Sequence, residues 1–80
     1  MTSARKPYAR WPGKGVFGER LKAERIRRNF KVRDFARLLD VHECSLTGWE
    51  NRGIMPNLKD TIAIAQLLDC SIDWLCGLED

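Results

Sequence analysis

The sequence predicts an all-α fold of five short helices. Three observations carry this. From Val16 onward the apolar residues recur at helical spacing, no stretch alternates as a strand does, and turn-forming residues interrupt the pattern at short intervals. Eighty residues make one domain, and an apolar fraction of 44% is enough for a core without a cofactor.

Residues 1–15 combine Pro7, Pro12, Gly13 and Gly15 with Arg5, Lys6, Arg10 and Lys14, and read as a flexible basic arm ahead of a domain at 16–80. The first helix is expected over Phe17–Arg28, with Phe17, Leu21 and Arg25 on one face. An arginine in an apolar stripe needs a buried acidic partner or must reach out to solvent. Asn29 stops this helix and Phe30 turns inward. Val32, Phe35, Ala36 and Leu39 form the stripe of a second helix, Val32–Leu39, where Ala36 suits a close crossing. Asp40 and Val41 make a tight turn, because Asp tolerates left-handed geometry better than most residues. A third helix follows from about Glu43 to Asn51, with His42 at its N-cap and Leu46 and Trp49 facing inward. Arg52-Gly53 ends it and Pro56 forbids immediate restart. Asn57 with Asp60 opens a fourth helix over Leu58–Leu68, whose expected stripe is Leu58, Ile62, Ala65 and Leu68. Ser71 caps a fifth, Ile72–Cys76, closed by Gly77.

Composition excludes several classes of function. Three cysteines without a Cys-x-x-Cys pair and a single histidine give no metal-ligand set, so no metal or cofactor is expected. They read as thiols of a reducing cytoplasm. No apolar run approaches the roughly 18 residues of a membrane span, and the basic N-terminus lacks the apolar segment of a secretory signal. His42, Cys44 and Ser45 are consecutive enough to point in different directions, and no third group orients the histidine, which argues against an enzyme. Charge is unevenly divided. Residues 1–31 hold ten Lys/Arg against two Glu, a net +8, whereas residues 32–80 hold four against nine Asp/Glu, a net −5. A basic N-terminal third points to a polyanion such as a phosphate backbone.

Two short helices joined by a tight turn at Val32–Asn51 meet the mechanical requirement of a helix-turn-helix, in which the second helix enters the major groove leading with its N-terminal residues. Phe35-Ala36, Trp49-Glu50-Asn51, Pro56 and Ser71-Ile-Asp-Trp-Leu-Cys-Gly77 together resemble the phage repressor and Cro-like, or lambda-repressor-like, family of DNA-binding domains. The resemblance covers about Phe17–Gly77. It implies that Arg25 pairs with Glu50 as a structural ion pair. It also implies that bases are read from Glu43, Cys44, Thr47 and Gly48. Ser45 is then placed to bond a phosphate, with Arg33, Arg37 and Arg52 on the DNA backbone. Thr47 can hydrogen-bond a base edge or set its methyl on a thymine methyl, and Glu43 can accept from a cytosine amino group. Gly48, having no side chain, can only permit close approach.

Two positions depart from the family's pattern: Val32 replaces the usual glutamine and Asp40 the usual glycine. With Glu43 and Gly48 in the reading positions, affinity leans on the arginines and on the arm, where Arg5, Lys6, Arg10 and Lys14 can follow the duplex or enter a minor groove. The expected function is a sequence-specific regulator that represses as a homodimer on double-stranded DNA. Two alternatives stay open: an antitoxin with a toxin or regulator protein as partner, and an interaction module that has kept the fold without DNA binding.

Overall fold

The computed structural model describes residues 13–79, and five α-helices make up its regular structure. They are α1 (Lys14–Arg27), α2 (Val32–Leu39), α3 (Glu43–Asn51), α4 (Leu58–Leu68) and α5 (Ile72–Cys76). No strand occurs among the described residues. Four helices carry the expected bounds. α1 starts three residues earlier than expected, so Lys14 and Gly15 belong to its first turn and not to an arm. Arg5, Lys6 and Arg10 lie outside the described residues.

Each helix ends for a local reason. Asn29, Asp40 and Asp69 take left-handed backbone (φ 63, 58 and 51) after α1, α2 and α4, as Gly77 does after α5. At Asp40 this lets Val41 N–H reach back to Ala36 O at 3.0 Å, so the turn of the helix-turn-helix closes with its end carbonyls satisfied. Asn57 accepts from the Asp60 N–H at 2.8 Å and Ser71 from the Trp74 N–H at 3.0 Å, capping α4 and α5.

The core is built from Phe17 and Leu21 of α1, Phe35, Ala36 and Leu39 of α2, Leu46 and Trp49 of α3, Ile64, Ala65 and Leu68 of α4, and Leu75 of α5. Phe30 packs its ring against Phe35, with centroids 5.2 Å apart. The stripe of α4 differs from the expected one. Thr61, Ile64, Ala65 and Leu68 face inward, while Leu58 is 70% exposed and Ile62 is exposed as well. Thr61 tolerates this because its hydroxyl donates to Asn57 O at 2.8 Å, so the buried group is satisfied.

α1 and α3 cross closely at Gly18. A Cβ on Gly18 would lie 2.5 Å from Trp49 O and 2.8 Å from Glu50 O, both backbone atoms that cannot swing aside. Beside this crossing, Arg25 Nε donates to Glu50 Oε2 at 2.7 Å and Nη2 to Oε1 at 3.1 Å, a two-pronged pair that is buried. The third prong, Nη1, donates to Phe30 O at 2.6 Å, so one arginine fixes α3 to α1 and to the loop entering α2. Arg20 ties α5 on the other side: its guanidinium lies 4.8 Å from the centre of the Trp74 ring and donates to Trp74 O and Glu79 O.

Candidate nucleic-acid interface

With Leu46, Trp49 and Glu50 turned to the core, α3 leaves its opposite side and its N-terminal turn outside the fold. Glu43, Cys44 and Ser45 are exposed and Thr47 is half-buried. Thr47 Oγ1 donates to Cys44 O at 3.1 Å, which commits the hydroxyl proton to the helix. The Thr47 hydroxyl therefore keeps an acceptor oxygen but has no proton left to donate.

Gly48 does not meet the expectation of an open reading position. It is buried, because the chain after α3 folds back over it and places Ile54 on top. Gly48 O accepts from Arg52 N–H at 3.0 Å and from Ile54 N–H at 3.3 Å, which fixes that fold-back. Gly53 makes it possible by taking a positive φ of 71.

The cationic groups flank α3 on two sides. Arg33 and Arg37, exposed on α2, line an open cleft together with Asp40, Val41, His42 and Glu43, so the α2 arginines adjoin the start of α3. The Arg33–Asp34 contact at 4.0 Å is exposed on both sides and too long to hold Arg33 in place. At the far end of α3 stand Arg52 and two residues of α1. Lys22 Nζ donates to Asn51 Oδ1 at 3.1 Å, and Lys14 Cβ lies 3.9 Å from where a Gly53 Cβ would stand. Sequence reasoning does not find Lys22, since nothing local to α1 shows that it reaches the end of α3.

The N-termini of α2 and α3 carry no side-chain cap, because Lys31 and His42 occupy the capping positions without bonding. The leading amides of both helices thus have no side-chain partner, Ser45 N–H being bonded to His42 O at 3.0 Å, and the positive end of each helix dipole lies there beside the Asp34 and Glu43 carboxylates. Among the described residues no group of His, Cys, Asp or Glu has the arrangement of a metal site. No described helix is long and apolar enough to cross a membrane.

The three thiols differ. Cys44 is exposed on α3, whereas Cys70 and Cys76 are half-buried and desolvation raises their thiols above the ordinary value.

Comparison with known proteins agrees with this geometry. The Helix-turn-helix family model matches residues 21–75, which is most of the domain. The chain belongs to this family of Cro/C1-type helix-turn-helix proteins, whose members are DNA-binding transcriptional regulators and not enzymes. Among solved structures, the P22 c2 repressor in complex with a synthetic operator is similar with a TM-score of 0.73 and 25% identity, over 79% of this chain and 96% of that one. The restriction-modification controller protein C.AhdI from Aeromonas hydrophila is similar in fold, with a TM-score of 0.68 and 23% identity over 76% of this chain and 92% of that one. A search of curated proteins returned no match.

Proposed function

We propose that this chain is a sequence-specific transcriptional repressor that places α3 in the major groove of an operator and binds as a homodimer. The observation that carries the reading is the outward face Glu43, Cys44 and Thr47, bracketed by Arg33 and Arg37 on one side and by Arg52 on the other. In this arrangement Ser45 and the open amides of α2 and α3 take phosphate oxygens, while Glu43, Cys44 and Thr47 meet base edges. The operator complex of the P22 c2 repressor supports the DNA reading by analogy. Arg5, Lys6 and Arg10, in the segment ahead of α1, extend the phosphate contacts along the duplex. Leu58 and Ile62, exposed one turn apart on α4, give a second copy an apolar surface. A two-fold dimer then reads half-sites about one helical turn, 10–10.5 bp, apart.

Selection of bound duplexes from a random pool tests this. One enriched motif with two-fold symmetry is expected. Affinity for it should fall with salt at a log–log slope of about −0.9 per neutralised phosphate. Replacing Arg5, Lys6 and Arg10 together by alanine should flatten that slope without changing the motif. Steep salt dependence with no preferred motif would contradict a specific regulator, and absence of binding at low salt would leave only an interaction module. Sedimentation with and without Leu58→Lys reports on the dimer, which the substitution should dissociate.

A further inference from the structure

The position on α3 that has no side chain of its own is filled from elsewhere. Gly48 falls roughly 150° around α3 from the buried Leu46–Trp49–Glu50 stripe, and one turn beyond the exposed Cys44. A side chain there would project away from the core. A Cβ built on Gly48 would lie 3.1 Å from Ile54 Cδ1, 3.9 Å from its Cβ and 4.0 Å from its Cγ1. The Ile54 side chain therefore occupies the place into which residue 48 would point. It is held there by the Ile54 N–H bond to Gly48 O at 3.3 Å and by the left-handed turn at Gly53.

Core packing does not account for this side chain, since Ile54 remains 45% exposed and stands outside the buried cluster. Its neighbour on the same face, Thr47, has spent its hydroxyl proton on Cys44 O. Around Gly48 the surface of α3 thus offers the apolar Ile54 side chain beside a Thr47 hydroxyl whose proton is already committed. In the major groove one base carries a matching apolar group, the C5 methyl of thymine.

We propose that Ile54 is a specificity-determining residue, reading a thymine methyl in place of the side chain that Gly48 lacks. The proposal rests on the major-groove reading of α3 given above. Its test uses the duplex enriched by the full-length protein, with each thymine in turn replaced by deoxyuridine, which removes only the C5 methyl. One thymine per half-site should prove sensitive, losing about fourfold in affinity, the worth of one buried methyl. Ile54→Ala should weaken binding to the thymine duplex by a similar factor and make the protein indifferent to deoxyuridine at that position. Thr47→Ser should keep the sensitivity there, because it leaves Ile54 in place.

An unchanged deoxyuridine penalty in Ile54→Ala would overturn the proposal, as would the absence of any methyl-sensitive thymine. Equal weakening toward the thymine and deoxyuridine duplexes, with the penalty intact, would assign Ile54 to self-association or to folding instead. A thermal melt of the variant tells these two apart. Failure to enrich any motif would contradict the regulator reading itself, and the role of Ile54 with it.

Discussion

Arg25 and Glu50 are each nearly closed off from water, and each supplies what the other lacks: two donors for two carboxylate oxygens. Truncating one of them strands a buried charge. Arg25→Ala or Glu50→Ala should therefore cost on the order of 3–5 kcal/mol, read from urea unfolding, whereas a joint replacement by apolar residues should cost much less. A surface-like loss below about 1 kcal/mol would contradict the buried pairing. Cys44 gives a second residue-level prediction. As the exposed thiol it should react with maleimide well before Cys70 and Cys76, whose raised thiols are protected by desolvation. A bound duplex should slow labelling at Cys44, and the labelled protein should no longer bind DNA. Labelling that DNA leaves unaffected would remove Cys44 from the interface. The pairing of Arg25 is open to sequence reasoning, because an arginine on an apolar face demands an acidic partner. The placement of Ile54 is not. It depends on a fold-back over Gly48 that no local pattern encodes.

Between elements, the α1–α3 crossing decides where α3 sits. Glycine inside a helix is ordinarily a weakness, and its replacement by alanine gains about 0.5–1 kcal/mol. Gly15, where an added Cβ would meet nothing within 4 Å, should follow that rule or be neutral. Gly18 should reverse its sign, since its Cβ would press on the carbonyls of Trp49 and Glu50. We expect Gly18→Ala to cost about 1–3 kcal/mol by denaturant unfolding. A gain there would contradict the close crossing. At the other end of α1, Glu24 accepts from Arg27, and these hydrogen bonds hold its carboxyl below the ordinary 4.5. A lowered carboxyl contributes stability that is present above about 4.5 and is lost as pH falls through the lowered value. Melting temperatures of the native protein and Glu24→Gln should differ most near neutral pH and converge in acid. Parallel curves would sink this assignment. The helix ends are legible because their signals are local: Asn57 with Asp60, Ser71, Gly77, and Asp40 in the turn. The start of α1 is not, since no capping side chain marks Gly13 and the helix is held by packing at Phe17 and Gly18. The stripe of α4 escapes the sequence because Thr61 looks polar there, yet its bond to Asn57 O lets it turn inward.

On the scale of the whole molecule, one buried pair and one glycine crossing lock α3 against α1, and α2 stands beside its N-terminus with Arg33 and Arg37. The rigid part of the protein thus positions a short exposed face, and under the proposed function the cations around it supply affinity without sequence information. This division gives the central claim a direct measurement: duplex selection from a random pool with the native protein, with Arg33→Ala/Arg37→Ala, and with Glu43→Gln/Thr47→Ala. One symmetric motif is expected for the native protein, the same motif bound more weakly by the arginine variant, and an altered motif for the α3 variant. A motif that survives the α3 substitutions unchanged, or no motif at all, would contradict that claim.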